Sequence, residues 1–170
     1  MIDTLAYDQP VNRTSGRAGQ RPRELGLGIL AARLLFAVQD ELYARLEEAG
    51  HGQLTRLHGA VIAHLDEDGT RATELARRSG RHKQVIGRIV DELEALGYVE
   101  RCPEEGDRRA KLVVPTERGR EVMRLSDEII GDIERRQAAE RGKATLDEFL
   151  QTMRAVVESL TQRPDEQQAK

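Results

Sequence analysis

Lys83, Gln84 and Arg88 lie within about one and a half helical turns of each other, and none belongs to the apolar repeat beside them. A glutamine can pair in two places with adenine, and an arginine with guanine. Lysine suits a phosphate oxygen or a guanine edge. Side chains of these types on the outer face of a helix are equipped to read a DNA major groove. Gly87, set among them, allows close approach to the groove. Arg81 and His82 precede them, and His82 either touches a phosphate or caps the helix. Further on, Asp107-Arg108-Arg109 and Lys111 belong to an Arg-tipped loop and the β run after it. Arginine in such a finger suits a narrow minor groove, where negative potential is concentrated. Arg108 and Lys111 are placed for phosphates. The plainer alternative is a solvated helix face and a charged hairpin tip with no partner.

Those side chains need a short helix, a tight turn, a second helix and a hairpin in that order. Arg71–Arg78, roughly, form the first helix, and Ser79-Gly80 the turn. The spacing of Ile86, Ile89, Val90, Leu93 and Leu96 predicts a helix from His82 to Leu96, stopped by Gly97. Residues 98–102 and 110–114 read as antiparallel strands joined by the turn sequence P-E-E-G-D-R-R. A long helix over residues 24–48 precedes this unit. It carries Leu27, Leu30, Leu34, Val38, Leu42 and Leu46 as one stripe, with Leu35, Phe36 and Tyr43 beside it. One of these faces suits its own chain and the other a partner subunit. A helix over 55–65 follows, with Thr55 as N-cap. After the hairpin, Thr116 caps another helix that Gly142 breaks. The capping box Thr145-Leu-Asp-Glu148 predicts the start of the last helix, whose Phe149, Met153, Val156 and Leu160 follow a coiled-coil-like spacing.

The 170-residue chain is 34% charged, 3% aromatic and without tryptophan, so its core must come from Leu, Ile, Val and Ala. That favours helix on helix. The net charge of −3 conceals an asymmetry. Residues 71–90 hold six basic side chains against Glu74 alone, whereas residues 24–70 hold three against eight acidic ones. A local basic face, not the total, steers association with DNA. The single Cys102 excludes an intrachain disulfide and fits a reducing cytoplasm. No run is long enough to span a membrane, and the first residues do not form a secretory signal. Nucleophile elbows, zinc-protease motifs and phosphate loops are all missing, so neither catalytic residues nor a cofactor is expected.

The stretch from about Leu54 to Gly119 resembles the MarR family of bacterial winged-helix transcription regulators. The matching residues are Glu74-Leu75-Ala76, Gly80, Lys83-Gln84, Arg88-Ile89-Val90-Asp91, Leu93-Glu94, Leu96 to Arg101, Asp107-Arg108-Arg109 and Pro115 to Gly119. The resemblance implies a mainly α fold with a small β wing, a winged helix-turn-helix lobe on a helical dimerisation domain. Residues 53–115 would form the lobe. Residues 24–52 and 116–162 would form the dimerisation region, with a flexible arm at 1–23 and a frayed tail at 163–170. It further implies a homodimer on double-stranded DNA, released by a small-molecule effector bound between lobe and dimer region. Arg109 matches the family's wing arginine, and Asp107 would hold the wing in shape. Ser79, Arg81 and His82 depart from the residues common in the family at those positions.

Leu35, Phe36, His58 and Ile62 are the candidate effector-pocket residues. His58 also suits a satisfied interface histidine. His51, His58, His64 and His82 have no tight metal-ligand spacing, so a metal site is not expected. Cys102, with only Arg101 as a basic neighbour, reads as an inert thiol. The rivals are a metal- or oxidant-sensing regulator on the same fold and an interaction module that no longer binds DNA.

Overall fold

The computed structural model describes residues 26–104 and 107–161, the side chains of 107–110 excepted. The predicted arm at 1–23 and tail at 163–170 lie outside the described residues. Element order is α1 (Leu27–Leu46), α2 (Gly59–Ile62), β1 (Thr70–Arg71), α3 (Ala72–Ser79), α4 (Lys83–Ala95), β2 (Val99–Glu104), β3 (Asp107–Pro115), α5 (Glu117–Arg141) and α6 (Lys143–Thr161). The three strands form an antiparallel sheet in the order β1-β3-β2.

Helix α1 ends in a wide π turn over Glu47–His51, where Gly50 takes φ 91°. The expected helix over 55–65 is shorter. Only Gly59–Ile62 is regular α-helix, flanked by turns. Thr55 does not cap it. Its backbone N–H donates to Nδ1 of His58 (3.1 Å).

Strand β1 was not anticipated. Two residues carry no periodicity, and Thr70 and Arg71 become a strand only by pairing with Val113 and Leu112. The hairpin strands run longer than expected, with an irregularity near Pro103 and Glu104. Thr116 caps α5 as expected, its Oγ1 accepting from Gly119 N–H (3.2 Å). Helix α6 starts at Lys143, directly after Gly142, so Thr145 and Glu148 lie inside it and the capping box does not mark its start.

The core is one cluster spanning the lobe and its support. Leu75, Ile86, Ile89, Val90 and Leu93 from α3 and α4 meet Val61, Leu65, Tyr98 and Val113, and the cluster continues to Val122 and Ile129 of α5. Buried Tyr98 stands at the seam. Its Oη lies 3.1 Å from His51 Nδ1, and the Arg118 guanidinium sits 4.5 Å above its ring centroid. The other His51 nitrogen is buried without a hydrogen-bond partner, 4.0 Å from the Glu121 carboxylate.

Outside this core, nine large apolar side chains among the described residues are exposed, six on α1 (Leu27, Ile29, Leu30, Leu34, Leu35, Phe36) and three on α6 (Phe149, Val157, Leu160). Both helices pack on α5.

Candidate nucleic-acid interface

Helix α4 is strongly two-sided. Ile86, Ile89, Val90 and Leu93 are wholly buried, while Lys83, Gln84 and Arg88 are exposed on the other side with Gly87 half-buried among them. Burial of four branched side chains fixes the helix against rotation, so the same three residues always face out. Arg81 and His82, just ahead of α4, are exposed as well.

The turn that aims α4 depends on Gly80, which adopts φ 63°. Glycine takes this left-handed conformation without penalty. The Arg81 N–H returns to the Ala76 carbonyl (3.1 Å). Ser79 donates its hydroxyl to the Leu75 carbonyl (2.7 Å), which accounts for a polar residue at this half-buried position. His82 provides the N-cap backbone (ψ 142°), but its side chain makes no cap bond.

The basic stretch holds less free positive charge than its composition indicates. Glu74 receives both Arg77 (2.6 Å) and Arg78 (2.8 Å), and Arg78 also reaches Asp66 (2.9 Å). Those guanidinium bonds, Arg77's first, hold the Glu74 carboxyl down at about 2. Arg71 pairs with Glu104 at 2.7 Å. Arg81 and Lys83 have no ion pair among the described residues, and Arg88 has only Glu92, at 3.6 Å. Positive potential is therefore concentrated at the start of α4 and not spread over α3.

The wing strand β2 is tied to α4 through Arg101, whose guanidinium meets both Asp91 and Glu94. Lys111 is exposed on β3, where its backbone is in register with Pro103. The backbone of Asp107, Arg108 and Arg109 belongs to β3, and their side chains lie outside the described set.

The candidate pocket residues are not brought together. Leu35 and Phe36 are exposed on α1. His58 is buried and bonded on both ring nitrogens, to Thr55 and to Glu92 (3.2 Å). Ile62 alone lines a cavity of about 380 Å³ between α1, α2 and α5, with Leu42, Tyr43, Leu46, Val122, Met123 and Asp127 among its other walls. Burial pushes the Tyr43 phenol up, opposed by a hydrogen bond from the Gly59 backbone. Among the described residues, no Lys, Arg or His lines this cavity.

Periodicity could not reveal the Glu92 link to His58, 34 residues away. The pairs Glu74 with Arg77 and Arg78, and Arg88 with Glu92, were legible as spacings of three and four. Among the described residues no group of three or more His, Cys, Asp or Glu could hold a metal ion. Cys102 is half-buried and free. No described helix is long and apolar enough to cross a membrane.

A helix-turn-helix whose second helix is exposed on one side, followed by a β hairpin and carried on long helices, defines a winged helix-turn-helix protein. Residues 53–110 match the sequence profile of the MarR family. The chain is similar in structure to the transcriptional regulator PA3341, with 26% identity, a TM-score of 0.66, and coverage of 81% of this chain and 100% of that one. It is also similar to CouR of Rhodococcus jostii RHA1 bound to p-coumaroyl-CoA, with 24% identity, TM-score 0.64, and coverage of 82% and 95%. The repressor CouR bound to a 23-mer DNA duplex matches at 23% identity and TM-score 0.64, covering 78% of this chain and 92% of that one. No curated protein matches the sequence. The segment 53–110 is thus similar in sequence to the MarR family, and the fold is similar to that of a transcriptional regulator.

Proposed function

We propose that this chain is a homodimeric, ligand-relieved repressor in the cytoplasm that binds a near-palindromic operator. The carrying observation is the exposed Lys83, Gln84 and Arg88 on a helix whose opposite side is locked in the core. Gln84 and Arg88 read base edges, while Lys83, Arg81, His82 and Lys111 contact phosphates. Gly87 admits the groove wall. On the wing, Arg108 takes a phosphate, Arg109 enters the minor groove, and Asp107 steadies the turn.

The exposed apolar side chains of α1 and α6 support the dimer. An uncovered patch of this kind is unusual on a monomer, and each such side chain buried contributes about 1.5–3 kcal/mol. A second copy that buries them sets two α4 helices about 34 Å apart, one turn of DNA. The cavity between α1, α2 and α5 supports the effector role. Its walls are largely apolar, and the Asp127 carboxylate, with no Lys, Arg or His among the described lining residues, favours a neutral or cationic small molecule over an anion. Ligand binding that differs between two lobe positions shifts DNA affinity.

In vitro selection from a randomised duplex library tests this reading. The full chain should enrich a near-palindrome, with affinity falling steeply as salt rises. Lys83→Ala should weaken binding across sequences and reduce the salt slope by about one. A chain that enriches no duplex, or affinity indifferent to salt, defeats the proposal.

A further inference from the structure

Glu92 is an awkward residue for a DNA-reading helix. It follows Arg88 by one turn, and a carboxylate there repels the phosphates that Lys83 and Arg81 attract. Its surroundings give it a role. One oxygen, Oε2, lies 3.2 Å from His58 Nε2, and the other, Oε1, lies 3.6 Å from an Arg88 guanidinium nitrogen.

The histidine sets the direction of this chain of contacts. His58 Nδ1 accepts a hydrogen from the Thr55 backbone N–H at 3.1 Å, so that nitrogen carries no proton of its own. The ring hydrogen therefore sits on Nε2 and donates to Glu92. His58 is buried and held on both nitrogens, so Glu92 is anchored from inside the protein. An exposed pair with arginine preceding glutamate by four residues would hold little by itself. With Oε2 anchored, Oε1 becomes a fixed point for Arg88.

Resting on the DNA-binding reading above, we infer that Glu92, held by His58, is a positioning residue that sets Arg88 for base readout. An arginine kept near one geometry loses less freedom when it grips a base, and it grips other bases less readily. Glu92 thus exchanges some affinity for discrimination. His58 immediately precedes Gly59, which lines the cavity, so the same contact connects the cavity wall to the reading helix.

The test uses the full chain and the duplex it selects. Every half-site base pair is substituted in turn, and the base pair whose discrimination depends on Arg88 is identified with Arg88→Ala. At that pair, Glu92→Gln should reduce discrimination by about fivefold or more and leave the other pairs unchanged. In the Arg88→Ala background, Glu92→Gln should add nothing. His58→Asn keeps an acceptor for Thr55 but gives up the donor to Glu92, and should behave like Glu92→Gln. His58→Gln can still reach Glu92 with an N–H, and should retain discrimination even if its thermal midpoint falls. The inference is overturned if Glu92→Gln keeps full discrimination, if its effect multiplies with that of Arg88→Ala, or if the two His58 variants follow their melting temperatures alone. A wild-type chain that enriches no duplex removes the DNA reading itself, which is a separate result from an unchanged Glu92 variant on a selected duplex.

Discussion

Gly119, in the first turn of α5, lies against the carbonyl of Tyr98 so closely that a Cβ at 119 would overlap the oxygen and sit 3.2 Å from Pro115 Cβ. The Thr116 N–H donates to that same carbonyl at 3.1 Å, and Thr116 Oγ1 donates to the Gly97 carbonyl at 2.7 Å. The end of α4, the start of the wing and the start of α5 are thus joined at one point. Gly119→Ala should force α5 away from Tyr98 and destabilise the protein by about 1–3 kcal/mol. Thermal unfolding is the check, with a fall of about 2–4 °C per kcal/mol. An unchanged midpoint would mean that the seam yields freely.

The Glu74 cluster should make the lobe acid-sensitive. Arg77 first, then Arg78, hold the Glu74 carboxyl at about 2, against an ordinary value of 4.5. Asp66 is lowered as well, chiefly by Arg78 and then by Thr70. A carboxyl lowered in the folded state contributes stability that is complete above its unfolded value and lost as pH falls through the folded one. For Glu74 that window runs from about 4.5 down to about 2. Melting curves across this range should fall less steeply for Glu74→Gln than for the wild type, and high salt should shrink the difference because the groups are exposed.

Leu34 on α1 and Leu160 on α6 are 41% and 57% exposed. Leu160→Asp, alone or with Leu34→Asp, should shift the chain from dimer to monomer in sedimentation velocity and weaken operator binding by more than tenfold. A monomeric variant with wild-type affinity would separate DNA binding from symmetry.

The cavity between α1, α2 and α5 should distinguish charge. Its walls include Asp127 and, among the described residues, lack Lys, Arg and His. In thermal-shift measurements 4-phenylbutylamine should raise the midpoint more than 4-phenylbutyrate does. Ile62→Trp should fill the space and abolish the difference while operator binding persists. Equal or greater stabilisation by the carboxylate would contradict the assigned electrostatics.

Much of this arrangement can be read from the chain. The apolar spacing of Ile86, Ile89, Val90 and Leu93 identifies α4 and, by exclusion, the outward Lys83, Gln84 and Arg88. Thr116 as a cap and Gly80, Gly97 and Gly142 as stops lie where local backbone chemistry demands them. These signals act within about four residues, so neighbours in sequence suffice. The capping box at Thr145 shows the limit, because α6 simply begins earlier, at Lys143.

Other features need residues far apart in sequence to meet. Strand β1 exists through its pairing with Val113 and Leu112, and His58 meets Glu92 from a distant part of the chain. Composition counted Arg71, Arg77 and Arg78 as free cations, yet folding brings them to Glu104, Glu74 and Asp66. The sequence by itself determined which helices form and which face of α4 is polar, since both follow from short-range periodicity and caps. Only the tertiary structure decided which charges remain unneutralised, where a cavity opens and how His58 reaches α4, because Coulombic pairing and packing depend on distance in space and not along the chain.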